Sequence, residues 1–221
     1  MGYKNLTVMK KSALNFGIGR VAQKLLFLAG FMLVANVVWG REFRIPNSNY
    51  SWSSWNNPIP TNNDDVRVDR NTSRTLSVDI NDANCRNVTL SNSNVITINP
   101  NCSLSIDGTL NISGNNTTLT VNGAITINSI NTTNNNTTPK ITGSGTITIN
   151  GGTLKCDFSG FTGTLVLRNN VTISNNLGGC GNYNIQADNF TATSSIPSGT
   201  YTNLTVNGHS TLCGDVTVTG T

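Results

Sequence analysis

Charge is scarce in this 221-residue chain: Lys, Arg, Asp and Glu together make up 11% of it, against about a quarter in an ordinary soluble domain. Aromatic residues reach only 6%, and histidine occurs once, as His209. Five cysteines (Cys85, Cys102, Cys156, Cys180 and Cys213) are widely spread, and none forms the close CxxC pair of a zinc or redox centre. No metal and no cofactor is therefore expected. The formal net charge of +4 carries little, because Lys4, Lys10, Lys11, Arg20 and Lys24 all lie in the first 24 positions. Without them the balance is near neutral, so nucleic acid is not an implied partner. After residue 40 no stretch shows the 3.6-residue stripe of a helix, and no apolar run there is long enough to span a membrane.

What fills the chain instead is Asn and Thr, 36 and 31 residues respectively. Val and Ile are also abundant, which excludes the composition of a disordered chain and leaves a β bias. From Val66 onward apolar residues alternate in short pairs: Val66/Val68, Leu76/Val78, Val88/Leu90, Ile96/Ile98, Leu104/Ile106, Leu110/Ile112, Leu119/Val121, Ile125/Ile127, Ile147/Ile149, Leu165/Leu167, Val171/Ile173, Leu204/Val206 and Val216/Val218. Each predicts a strand of three to five residues with one buried face. Turn formers sit between them, among them Asp107-Gly108, Ser113-Gly114, Asn122-Gly123, Ser144-Gly145 and Asn150-Gly151, which supply positive φ.

Strands this short and this closely spaced predict an all-β fold, a right-handed parallel β-helix (β-solenoid) whose Asn-rich corners stack along the axis. A β-sandwich is the alternative. The stretch Asn128 to Lys140, "NSINTTNNNTTPK", interrupts the repeat and is expected to protrude as a loop.

Residues 1–40 read as a signal peptide, with basic residues before the apolar run Leu25 to Val38 and small Gly40 at the expected cleavage point. That run is shorter than the about 20 residues of a spanning helix, so no membrane span is expected after cleavage, and Met9 offers a second plausible start. The organisation expected is a signal peptide at 1–40, an N-terminal cap segment at 41–65 and a solenoid at 66–221 that stops inside a repeat, with a C-terminal region missing. An odd cysteine count leaves at least one thiol unpaired, and the disulfide pairing stays open.

Catalytic chemistry finds few candidates. A glycosidase needs two carboxylates flanking the scissile bond and a lyase needs a base with a cation. Asp64 and Asp65 are adjacent, so on a strand they face opposite sides, while Asp107, Asp157, Asp188 and Asp215 are far apart in sequence. His209 lies in an "NGHST" turn and reads as an exposed turn residue. Tyr50, Trp52 and Trp55 form the one candidate ligand platform, an aromatic surface for sugar rings; Trp52 and Trp55 can equally cap the open end of the first coil. "GGCGNYNIQ" from Gly178 approaches a calcium-binding nonapeptide but has Tyr183 at the Asp position, which favours a plain glycine-rich turn. Outward Thr146/Thr148 and Thr217/Thr219 resemble the flat arrays of ice-binding solenoids, in an irregular form.

The stretch "YSWSSWNNPIPTNNDDVRVDRNTSRTLSVDINDANCRNVTLSNSNVITINPNCSLSIDGTLNISG" resembles the opening of the repeat region in large secreted and surface β-helix (adhesin-like) proteins of Bacteroidetes-type bacteria. It is more distantly similar to the start of the G8 domain, and "SGTYTNLTVNGHSTLCGDVTVTGT" resembles a later repeat of the same surface proteins. The resemblance implies an exported, non-catalytic, structural or adhesive solenoid at the cell surface or secreted, with an extracellular glycan or surface component as partner. The alternative is a carbohydrate-binding or polysaccharide-processing β-helix.

Overall fold

Short apolar pairs cannot bury both ends of a strand alone, so each must stack on an equivalent one coil away. The computed structural model describes residues 40–220 apart from 56–57, 115, 134–137, 170, 174–182, 193–194 and 207–208. The expected leader, like most of the Gly178 turn, lies outside the described residues. Within Gly40–Thr221, one of two compact units of the chain, about seven coils of parallel strands form a β-solenoid.

The strands stack on three faces. The first holds β1 (Glu42–Arg44), β3 (Asp65–Val68), β6 (Asn87–Leu90), the C-terminal halves of β8 (Ser103–Ser113) and β10 (Ala124–Thr133), then β13 (Gly152–Leu154) and β16 (Val171–Ile173). The second stacks β2 (Tyr50–Ser51), β4 (Thr75–Val78), β7 (Val95–Ile98), β9 (Thr118–Val121), β11 (Lys140–Gly143) and β14 (Asp157–Phe161). The third holds β5 (Ala83–Cys85), the N-terminal halves of β8 and β10, β12 (Thr146–Ile149), β15 (Thr164–Leu167), β17 (Asn184–Ala192), β19 (Gly199–Val206) and β21 (Val216–Val218), while β18 (Ser195–Ile196) and β20 (Thr211–Leu212) pair separately. Partners in register are about 20 residues apart, as in Asp65 with Asn87 and Thr146 with Thr164.

Apolar residues alternate inward as the sequence predicts, and Val66, Leu76, Val88, Ile96, Leu104, Leu119 and Ile147 are all buried in one continuous core. Leu204/Val206 and Val216/Val218 depart from this, as does Val171, which is half-buried. Leu204 and Val216 are only half-buried, and Val206 and Val218 are exposed.

Two expectations need correcting. Asp107-Gly108 is not a turn between short strands but a bend inside the 11-residue β8, whose first half pairs with β5 and second half with β6. Gly108 is required there because a Cβ would lie 2.4 Å from Asn87 Oδ1 and 2.7 Å from the Arg86 carbonyl oxygen. Nor does a loop begin at Asn128: β10 continues to Thr133, with Ile130 and Thr132 buried and a register shift between Ile127 and Ser129 that turns the strand onto the first face. In both cases the chain rounds a corner without losing its ladder.

Corners of a second kind use Asn. Asn92, Asn101, Asn116 and Asn169 all take φ between 52° and 61°, the left-handed conformation that Asn tolerates best among residues with a side chain. Buried Asn94 accepts the Arg74 backbone N–H at 3.0 Å and donates to the Arg70 carbonyl at 2.8 Å, serving two successive bends. Among the described residues the Asn stacks along the axis are pairs rather than unbroken ladders, Asn131 onto Asn111 at 3.4 Å and Asn203 onto Asn189 at 3.0 Å.

Candidate functional site

The N-terminal coils of the first face carry most of the described ion pairs, and a concavity of about 480 Å³ lies on that face. Glu42, Asp65, Arg67, Asn87, Thr89, Thr109, Asn111 and Asn131 line it, from five adjacent strands. Register arranges them in two columns. Glu42, Asp65, Asn87 and Thr109 follow one another up the face, and Arg67, Thr89, Asn111 and Asn131 form the column beside it. Both columns consist of the outward members of alternating strands, which is why no apolar side chain enters.

At the N-terminal end every acid is engaged. Asp64 is buried and accepts hydrogen bonds from the Arg41 backbone N–H, Nε and Nη2 at 2.8, 3.1 and 2.9 Å, and from the Thr61 N–H and hydroxyl at 2.9 and 2.8 Å. These bonds, the Arg41 guanidinium first, outweigh burial and hold its carboxyl well below the usual carboxylate range. Asp65 receives a two-pronged contact from Arg86, at 2.9 Å for both bonds, and the Asn87 amide at 2.9 Å, which likewise lower its pKa. Burial pushes Asp69 up, but Arg44 and Arg67 together overcome it, and its pKa is lowered. Glu42 closes the set with a 3.3 Å contact to Arg67.

The other end of the groove is neutral. Asn87 Oδ1 accepts the Thr109 backbone N–H at 2.8 Å, and Asn131 donates to Asn111. Among the described residues, no hydrogen bond within the chain engages the Thr89 and Thr109 hydroxyls, the Asn111 side-chain N–H groups or the Asn131 side-chain carbonyl.

The chain matches no family model, no curated protein and no solved structure.

The sequence-predicted aromatics lie elsewhere, at the first coil. Trp52 is fully buried and belongs to the core, while Tyr50 and Trp55 are half-buried. Trp55 packs edge-on against Trp52 and Phe43, with ring centres at 5.3 and 5.5 Å, and lies 5.3 Å from Tyr50. Only the outer surfaces of Tyr50 and Trp55 are left to meet a ligand. His209 is exposed. Around Thr146/Thr148, the register neighbours are Ala124/Thr126 on one side and Thr164/Val166 on the other, so the Thr pairs do not continue as an array. Among the described residues no cluster of three or more His, Cys, Asp and Glu side chains is placed to hold a metal ion, and no helix is long and apolar enough to cross a membrane.

Cys213 is disulfide-bonded, whereas Cys85, Cys102 and Cys156 are free thiols. Burial raises the Cys85 thiol far above its ordinary range and pushes Cys156 up to about 12, which makes both inert small hydrophobes. Sequence reasoning missed the groove altogether. Its residues are spread over 90 positions from Glu42 to Asn131 and meet only through coil register. The available signal was the run of outward polar residues at about 20-residue intervals, which requires the corners to be placed first.

Proposed function

We propose that this chain is an exported structural or adhesive β-solenoid module that acts at the cell surface or outside the cell without catalysis. The observation that carries this reading is the commitment of the acids: each carboxylate whose pKa departs from its ordinary value is lowered by hydrogen-bonding neighbours. A general acid for glycosidic cleavage needs the opposite shift, a carboxyl kept protonated near neutral pH. Asp64, Asp65 and Asp69 act as fasteners between coils, and the outer surface they brace is a fixed lattice of amides and hydroxyls. Export rests on the leader-like N-terminus and on the low-charge Asn/Thr composition.

Purified full chain is coated on beads and offered to bacterial cells and to immobilised extracellular polysaccharides, with reducing ends and unsaturated products assayed in parallel. Retention without new ends is expected. Cleavage of any polysaccharide overturns the non-catalytic reading, and beads that bind neither cells nor polysaccharide overturn the adhesive one.

A further inference from the structure

We propose that the groove on the first face is a binding site for an extended, uncharged glycan lying along the solenoid axis across β1, β3, β6, β8 and β10. The inference rests on the adhesive reading above and gives it a ligand class and a place.

Size is the first argument. Five strands at the usual inter-strand spacing span about 19 Å, so the groove is an elongated slot that fits a chain of sugar units rather than one ring. Its 480 Å³ falls within the range of ligand sites, yet its lining is wholly polar, unlike that of a pocket for an apolar small molecule.

Charge and chemistry narrow the occupant. A nucleic acid or an anionic glycan needs an excess of cations, whereas the groove holds Glu42 and Asp65 against Arg67 alone. Arg67 is already held by Asp69 and Glu42, and Asp65 by Arg86 and Asn87. A protein partner is disfavoured by the lack of any aromatic or aliphatic anchor in the lining. What remains on offer is a mixed set of donors and acceptors: the Thr89 and Thr109 hydroxyls, the Asn111 N–H groups and the Asn131 carbonyl. Sugar hydroxyls both donate and accept, so a neutral glycan can satisfy all four without bringing a charge.

Pre-organisation strengthens the case. Asn111 and Asn131 are joined by the Asn131 amide, and Asn87 is fixed through the Thr109 backbone and Asp65. Their orientations are set before a ligand arrives, which lowers the ordering cost of binding.

The full chain is tested on an array of neutral glucans, mannans, xylans and galactans beside sulfated and uronate-containing glycans, comparing wild type with Asn111→Ala/Asn131→Ala and with Tyr50→Ala/Trp55→Ala. Binding to a neutral glycan, little changed by added NaCl, is expected to weaken about tenfold or more in the asparagine variant, with its circular dichroism and melting temperature unchanged. The aromatic variant is expected to bind as wild type does. Binding to anionic glycans only, binding that survives the asparagine variant, or no binding on the array overturns the groove assignment. Beads that still hold cells in any of those cases leave the adhesive reading standing, so the two failures are told apart.

Discussion

Asp64 accepts three hydrogen bonds from Arg41, one from its backbone and two from its guanidinium, so a single carboxylate ties the start of β1 to the corner that opens β3. Removing it strands the Thr61 N–H and hydroxyl as well. Asp64→Ala is expected to cost about 2–3 kcal/mol, a fall of roughly 4–12 °C in melting temperature for a domain of this size.

The same contact sets an acid limit. Because Arg41 lowers the Asp64 pKa in the folded chain, the unfolded chain binds that proton more tightly. The stabilisation is fully present above the unfolded carboxylate's pKa, about 3.9, and is lost as pH falls below it toward the folded value. Asp65 and Asp69, also lowered, act in the same direction. Acid unfolding followed by circular dichroism is expected to show a steep loss below about pH 4 that is flattened in Asp64→Asn. An unchanged acid limb in that variant contradicts the account.

Gly145 offers a steric test. A Cβ there would sit 2.0 Å from the Gly123 carbonyl oxygen, just as one on Gly163 would sit 1.9 Å from the Gly145 carbonyl oxygen. Three glycines thus stack one above another at the corner between the second and third faces. The backbone cannot give way without breaking the ladder, so Gly145→Ala is expected to destabilise by about 2 kcal/mol or more. Gly151→Ala, where the nearest atom is 3.6 Å away, is expected to stay within about 0.5 kcal/mol of wild type. Thermal melts of the two variants decide it.

Trp52 separates shape from polarity. Its indole is buried, and its Nε1 has no hydrogen-bond partner. Trp52→Ala is expected to cost about 3–5 kcal/mol through the cavity left under Trp55. Trp52→Phe keeps most of the ring and removes an unpaired donor, so it is expected to cost under about 1.5 kcal/mol. Equal losses in a denaturant titration of the two variants would show that the indole N–H is worth as much as the ring.

Thiol labelling reads the core directly. Cys85 and Cys156 are buried with raised pKa values, while Cys102 is half-buried. Treated with a maleimide under native conditions and read by mass spectrometry, Cys102 is expected to label first. Cys85 and Cys156 are expected to label only at the rate at which their coils open. Rapid native labelling of Cys85 is incompatible with its place beneath β8.

The parallel coils were legible in the sequence because inward alternation is a local signal, and pairs such as Val88/Leu90 and Ile96/Ile98 announce it directly. The corners were harder to read. Asp107-Gly108 has the composition of a tight turn, yet its glycine serves close contact with Asn87 and Arg86 of the coil before. Asn128 onward looks like a polar loop because only Ile130 is apolar among the first residues, and the burial of Thr132 comes from its bonds to Thr153 and Lys155 one coil on. The groove was invisible for the same reason: Asp65, Asn87 and Thr109 are neighbours only once each corner length is known.

Parallel stacking also fixes how the unit would answer a pull. Its inter-strand hydrogen bonds run along the axis, and the coils follow one another in chain order. Tension drawing the two ends of the unit apart therefore loads the bonds of one coil at a time instead of shearing many together. The solenoid would pay out length coil by coil, about 70 Å of slack from each turn of about 20 residues, and the Asp64 and Asp69 ion pairs would make the first coils the last to yield.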